Sequence, residues 1–186
     1  MKKQVLFIQG GGEGAHEEDG ELVKSLRDVL GTEYNVRYPK MPEEENSGYE
    51  VWKAQISKEL AALDDAVILV GHSIGSCMLL KYLAEENVEN SIAGIFLIAA
   101  PYWGTGGWQA DEFKLDEDRA SKSLKALPVF FYHSRDDDIV PITHLALHAE
   151  KFPQAMVREF DGRGHQFNND LSEVAADIKS SSISKA

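Results

Sequence analysis

Val67-Ile68-Leu69-Val70-Gly71-His72-Ser73-Ile74-Gly75-Ser76-Cys77-Met78-Leu79-Leu80 decides how the rest of the chain reads. Four aliphatic residues without polar alternation have the pattern of a parallel strand buried on both faces. The second apolar run continues through Lys81, Tyr82, Leu83 and Ala84 and is made of good helix formers. A strand that feeds straight into a helix reverses within a few residues, which forces the residue at the apex, Ser73, into a sparsely populated backbone conformation. Gly71 and Gly75 flank the apex, where a Cβ would collide with the crossing chain. Gly-x-Ser-x-Gly in this setting is a nucleophile elbow. It lifts Ser73 Oγ clear of the sheet onto a helix N-terminus, where the N–H of Ile74 is free to donate to a developing oxyanion.

Working outward, further strands and helices alternate. Val5-Leu6-Phe7-Ile8 is another aliphatic run, ending in Gln9-Gly10-Gly11-Gly12-Glu13-Gly14. A glycine-rich loop after a strand is how α/β folds build the functional rim of their sheets. Leu22, Val23, Leu26, Val29 and Leu30 recur at helical spacing, with Gly31 at the place of a C-terminal cap. Tyr34 to Tyr38 has β character and stops at Pro39. Residues 41–47 form an acidic loop, and Ser47-Gly48-Tyr49-Glu50 has the form of a capping box. Tyr49, Trp52, Ile56, Leu60 and Leu63 then make one apolar helix face. Residues 92–100, 129–132 and 155–160 read as strands, and Leu171, Val174, Ala175 and Ile178 define a final helix opened by Asp170 and Glu173. This rhythm implies a doubly wound, mainly parallel sheet of about six strands. Residues 101–125, with Tyr102, Trp103 and Trp108, are too long for a simple connection and read as a small lid or substrate-facing insertion. Residues 180–186 read as a polar, frayed tail.

At 186 residues and 20.7 kDa, one domain is expected. A net charge of −12 with pI about 4.9 argues against nucleic acid and anionic membrane surfaces as partners. The single cysteine, Cys77, excludes an internal disulfide and sits where a buried thiol is expected. The apolar stretch before Gly10 is too short for a signal-peptide core, and no run reaches membrane-spanning length, so a cytoplasmic location is the expectation.

Serine is a poor nucleophile at neutral pH and needs a base in contact, itself held by an acceptor. On a sheet of this kind the partners follow in the order serine, acid, histidine, each on a loop after a later strand. After residues 129–132 comes His133-Ser134-Arg135-Asp136-Asp137-Asp138-Ile139-Val140-Pro141, and after residues 155–160 comes Asp161-Gly162-Arg163-Gly164-His165. His165 alone among the six histidines has both the chain order and the loop position. Asp136, Asp137 and Asp138 are equivalent candidates for the acid on this reasoning.

With these residues in view, the chain resembles an α/β-hydrolase, and within that fold the small serine hydrolases related to retinoblastoma-binding protein 9. The resemblance is carried by Gly71-His72-Ser73-Ile74-Gly75, by Met41-Pro42 followed by Trp52, by the spacing of Asp137 and Pro141, and by Gly164-His165. It spans nearly the whole chain and implies a single α/β-hydrolase domain over residues 1–186. It also implies Asp137 as the triad acid, with Asp136 and Asp138 exposed or bonded to loop backbone. One oxyanion donor would come from the loop after the first strand, Gly11 N–H with Gly10 and Gly12 as neighbours, and the other is Ile74 N–H. The chain departs from the family where Ser134 stands at a frequent glycine. The Leu-x-Cys-x-Glu motif for retinoblastoma-protein binding is absent, since Gly75 stands at the leucine position before Cys77, so that partner is not implied.

The implied chemistry is cleavage of a small-molecule carboxylic ester through an acyl-enzyme on Ser73, with no cofactor and no metal. A thioesterase or amidase is the near alternative, and a non-catalytic interaction protein on a hydrolase fold the distant one. Tyr102, Trp103 and Trp108 suggest an apolar substrate pocket under the lid. Gly10-x-Gly12-x-x-Ala15 has the outline of a dinucleotide fingerprint, but Glu17, Glu18 and Asp19 behind it would repel a pyrophosphate. His144 and His148, four apart on a helix, have metal-ligand spacing but no further ligand motif, and read as a solvated face.

Overall fold

A computed structural model of the chain describes residues 2–63 and 66–183. The strands are β1 (Lys3–Ile8), β2 (Tyr34–Arg37), β3 (Val67–His72), β4 (Ile92–Ile98), β5 (Val129–Ser134) and β6 (Met156–Phe160). The helices are α1 (Ala15–Leu30), α2 (Tyr49–Ala61), α3 (Ile74–Glu85), α4 (Glu117–Leu124), α5 (Thr143–Lys151) and α6 (Ser172–Ile183). Every strand pairing is parallel, in the order β2-β1-β3-β4-β5-β6. The doubly wound sheet implied by the alternating runs is present. Among the described residues no helix is long and apolar enough to cross a membrane.

The sheet buries both faces. Leu6, Ile8, Leu69, Leu97 and Phe131 point into a core shared with Trp52 and Ile56 of α2 and Leu79 of α3. Their neighbours Val5, Phe7, Val70, Phe96 and Tyr132 point the other way, against Leu22 and Leu26 of α1 and Val174 of α6. With apolar cover on both sides, the central strands have no position that favours a polar residue, hence the unbroken aliphatic runs. The chain leaves β1 toward β2 on one side and returns to β3 on the other. The loops after β1 and β3 therefore diverge, which opens a crevice at the carboxyl ends of these strands.

Two local expectations differ from the structure. The N-cap of α2 is Gly48, and Ser47 makes no capping bond, so the helix starts one residue later than a capping box requires. Glu50 pairs with Lys53 at 2.8 Å instead. At the other end of the chain α6 runs to Ile183, further than the expected start of the tail, and the hydroxyls of Ser180 and Ser181 donate back to the carbonyls of Asp177 and Ile178. Residues 184–186 lie outside the described residues.

Residues 101–125 fold back over α3. The rings of Trp103 and Trp108 meet edge-on at 5.3 Å, and Phe113 lies 4.8 Å from Trp103. Lys81 Nζ donates to the carbonyl of Lys114 and Arg119 Nη2 to the carbonyl of Glu85, each at 2.8 Å. The Tyr102 hydroxyl bonds to Glu117.

Candidate active site

The elbow sits between β3 and α3. Ser73 has φ 50° and ψ −123°, a backbone strain of the kind that functional turns hold. The flanking glycines are set by close approach. A Cβ on Gly75 would lie 2.3 Å from the carbonyl oxygen of Gln9, and one on Gly71 2.7 Å from Cα of Ser76. Ser76, which the sequence reading passed over, is fully buried and donates to the carbonyls of Gly71 at 2.7 Å and Ile98 at 3.1 Å. It ties the turn to β4. As the first residue of α3, Ile74 has an N–H with no acceptor inside the helix.

The acid loop follows β5 and the histidine loop follows β6. His165 Nδ1 stands 2.8 and 3.0 Å from the two oxygens of Asp137. Asp137 Oδ1 also accepts from the N–H groups of Ile139 at 2.9 Å and Val140 at 2.8 Å. On the far side His133 Nε2 donates to the carbonyl of Val140 at 2.8 Å and lies 3.3 Å from Asp137 Oδ2. Burial pushes the Asp137 carboxyl up, but bonds from His133, His165 and Val140 outweigh it and hold it well below the usual carboxylate range. An ionised acceptor beside Nδ1 favours the imidazole tautomer that carries its hydrogen on that nitrogen.

The three neighbouring aspartates separate by contact. Asp136 Oδ1 accepts from Ser134 Oγ and from the N–H groups of Arg163 at 3.2 Å and Gly164 at 3.3 Å, so it holds the backbone of the histidine loop. Asp138 is exposed at the rim. Gly162 and Gly164 have φ of 70° and 59°, and Phe167, Asn168 and Asn169 follow with φ between 50° and 55°. A left-handed turn of non-glycine residues is costly. Bonds from Asn168 N–H to the Arg163 carbonyl at 2.9 Å and from Asn168 Nδ2 to the Gly162 carbonyl at 2.7 Å hold it.

In the glycine loop the amides are already divided. Gly10 N–H donates to Asp19 Oδ2 at 2.7 Å and Gly12 N–H to the carbonyl of Glu44 at 2.7 Å. Gly11 N–H has no hydrogen-bond partner among the described residues. Gly11 also lies against the elbow, where an added Cβ would come within 2.8 Å of Ile74 Cγ2. Two buried groups unnoticed in the sequence fix this loop. Gln9 donates to Glu44 Oε2 at 2.9 Å and accepts from Met41 N–H at 3.0 Å. Glu44 also accepts from His16 N–H and Lys40 Nζ, each at 3.0 Å. With its amides so committed, the loop does not offer the cradle of N–H groups that a pyrophosphate needs.

Ser73, His165 and Gly11 line one cleft of about 620 Å³, together with Glu18, Asp19, His72, Arg163, Gln166, Asn168 and Asn169. Ser73 Oγ makes no hydrogen bond to His165 here, a looseness common before substrate arrives. The lining mixes polar side chains with Gly10, Ala15 and Ile139 and contains no residue of 101–125. Tyr102 and Trp103 border a separate cavity of about 20 Å³ beside Cys77. Trp108 packs against His144 at 5.1 Å. These aromatic rings satisfy one another over α3 and do not reach the cleft. His144 and His148 are buried, not solvated: His144 Nδ1 accepts from Tyr102 N–H at 2.8 Å and His148 Nε2 is 3.3 Å from the Pro101 carbonyl. Among the described residues no group of three or more His, Cys, Asp or Glu side chains gathers as a metal site. Cys77 is buried, which pushes its thiol up, and it donates to the Pro101 carbonyl at 2.7 Å.

Solved structures share this fold. The ydeN gene product of B. subtilis superposes with a TM-score of 0.75 at 22% identity, over 97% of this chain and 98% of that one. The esterase domain of a Rhodothermus marinus protein gives 0.65 at 19% identity, over 95% and 82%. Est1E from Butyrivibrio proteoclasticus, with ferulic acid bound, gives 0.66 at 14% identity, over 98% and 88%. At these identities the likeness establishes the α/β-hydrolase fold. No curated protein matches the sequence. The model of the family described as "Serine hydrolase" matches residues 24–171, which include the elbow, the acid loop and the histidine loop, and the chain therefore belongs to the serine hydrolase family.

Proposed function

We propose that the protein hydrolyses small carboxylic esters through Ser73, His165 and Asp137. The observation that carries this reading is the His165–Asp137 contact of 2.8 Å on the same cleft as the strained Ser73. Ser73 Oγ attacks the acyl carbon while His165 Nε2 takes the hydroxyl proton. The carbonyl oxygen becomes an oxyanion, held by the N–H groups of Gly11 and Ile74. Asp137 holds the imidazole orientation and stabilises the imidazolium. Collapse of the tetrahedral intermediate breaks the ester C–O bond, and the leaving alcohol takes the proton from His165. Water then attacks the acyl-enzyme with His165 as base, which frees the carboxylic acid and restores Ser73.

The partner this reading requires is a small acyl substrate. Thioesters and amides would pass through the same steps and differ in leaving group. Glu18, Asp138, Arg163, Gln166 and two asparagines on the cleft wall could bond a hydroxylated group, beside the apolar contacts of Ala15 and Ile139. Treatment with a fluorophosphonate probe, followed by mapping of the modified residue, tests the nucleophile. The expected result is a single adduct on Ser73 that is absent in Ser73→Ala. An unlabelled wild type, or an adduct elsewhere, would reject the assignment. A panel of short, long and hydroxylated esters, with matched thioesters and amides, then sorts the substrate class.

A further inference from the structure

A second carboxylate–imidazole pair lies beside Ser73 and His165. His72, the residue before the serine, and Asp19 of α1 are both almost completely buried. His72 Nδ1 is 2.9 Å from each oxygen of Asp19. His72 Nε2 is 3.1 Å from the backbone carbonyl of His165. Asp19 receives two further donors, the N–H of Gly10 at 2.7 Å on Oδ2 and Nε2 of Gln166 at 2.7 Å on Oδ1.

The donor count fixes the protons. A carbonyl only accepts, so His72 Nε2 carries a hydrogen. Two short N–H bonds onto Asp19, one on each oxygen, favour its ionised, acceptor-only form over a carboxylic acid that donates to Nδ1, which puts the shared proton on that nitrogen. His72 is then an imidazolium and Asp19 a carboxylate, sealed from water. We propose that Asp19 and His72 are held as this buried ion pair, a positioning device that sets the carbonyl of His165 and the N–H of Gly10 at fixed places around Ser73.

The pair joins three loops. Gly10 belongs to the loop after β1, His72 ends β3 at the elbow, and His165 and Gln166 follow β6. The register of the base against the nucleophile and of Gly11 against the oxyanion position would be set by one contact network. The groups facing the pair are His165, whose ring centre lies 4.9 Å from that of His72, Asp137 behind it, and Tyr38 from the end of β2. Burial works against a charged His72, but the Asp19 carboxylate outweighs it and holds the imidazole above its ordinary range. Asp19 is correspondingly low: burial raises it, and His72 with the two other donors lowers it further. The effect on rate rests on the proposed serine-hydrolase reading; the protonation of the pair does not.

Two measurements test the proposal. In the wild-type protein, ¹⁵N NMR of the histidine rings at pH 8 should show both nitrogens of His72 protonated. A single ring proton on His72 at that pH would overturn the ion pair. In Asp19→Asn the counter-charge is gone, and His72 should keep one ring proton at pH 8. Fluorophosphonate labelling of Ser73 in that variant should slow at least tenfold, with ester turnover losing kcat and keeping KM within about threefold. Labelling at the wild-type rate would overturn the positioning role. Failure of the wild type itself to label would count against Ser73 as nucleophile, and the ring-nitrogen measurement alone would then decide the ion pair.

Discussion

Asp137 and His165 meet through both carboxylate oxygens, at 2.8 and 3.0 Å from Nδ1, and the Asp137 side chain has no exposed surface. Its neighbours hold different places: Asp136 on the backbone of Arg163 and Gly164, Asp138 at the open rim. Steady-state ester hydrolysis should rank them. Asp137→Asn should lower kcat by about 10⁴, against about 10⁶ for Ser73→Ala or His165→Ala. Asp136→Ala loosens the histidine loop, whose Arg163 and Gly164 amides it holds, and should cost about tenfold. Asp138→Ala should stay within about threefold. Damage at Asp138 equal to that at Asp137 would mean that the acid is misassigned.

Glu44 is the hinge of the glycine loop and gives a pH test. Bonds from Gln9 and His16 outweigh burial, and with Lys40 they bring its carboxyl down to about 2. A carboxyl lowered on folding contributes stability that is complete above its unfolded value, near 4.5, and is lost as pH falls toward the folded one. Glu44→Gln should therefore unfold at lower urea at pH 7, by about 1–3 kcal/mol. The gap to wild type should narrow between pH 4.5 and 2. A gap that does not change with pH would show that the charge contributes nothing.

The sheet was legible because its strands are buried on both faces and so leave unbroken aliphatic runs, and the elbow because close approach at Gly71 and Gly75 excludes a Cβ. Asp19 left a signal that went unread. It lies among the acidic residues Glu17, Glu18 and Glu21, yet shares the buried stripe of Ala15, Leu22, Val23 and Leu26 on α1. A carboxylate on an apolar helix face needs a buried partner. His144 and His148 show the opposite limit. Their spacing places them on one helix face, but nothing local says that Tyr102 and the Pro101 carbonyl arrive to bury it. The aromatic residues of 101–125 are as apolar as a substrate pocket requires, and only the packing over α3 shows that they face one another.

Two glycine substitutions should move stability in opposite directions. Gly75→Ala would drive a methyl group to 2.3 Å from the Gln9 carbonyl oxygen and 2.5 Å from that of Ile8. Backbone on both sides cannot yield, so a loss of about 3 kcal/mol or more, with the activity, is expected in urea unfolding. Gly20 lies inside α1 and a Cβ there meets nothing within 4 Å. Gly20→Ala should stabilise the protein by about 0.5–1 kcal/mol without changing turnover.

His148 predicts where stability fails on mild acidification. Burial brings its imidazole down to about 4, with the Pro101 carbonyl opposing and His144 adding to the fall. Its ring stacks on Phe131 at 4.7 Å, and Nδ1 is buried with no partner, so a second ring proton would have no acceptor. For a histidine lowered on folding, the unfolded chain binds the proton first. The contribution is therefore complete above about pH 6.5 and drains away down to about pH 4, above most of the window in which Glu44 acts. His144, also lowered by burial, adds in the same direction, whereas His72, raised, gives a contribution that is complete below 6.5 and lost on the alkaline side. His148→Phe removes the titrating group, keeps a ring against Phe131, and leaves the Pro101 carbonyl its bond from Cys77 at 2.7 Å. Between pH 8 and pH 5 the variant should lose about 1–2 kcal/mol less than the wild type in urea unfolding. Parallel pH curves for the two proteins would place the acid sensitivity elsewhere.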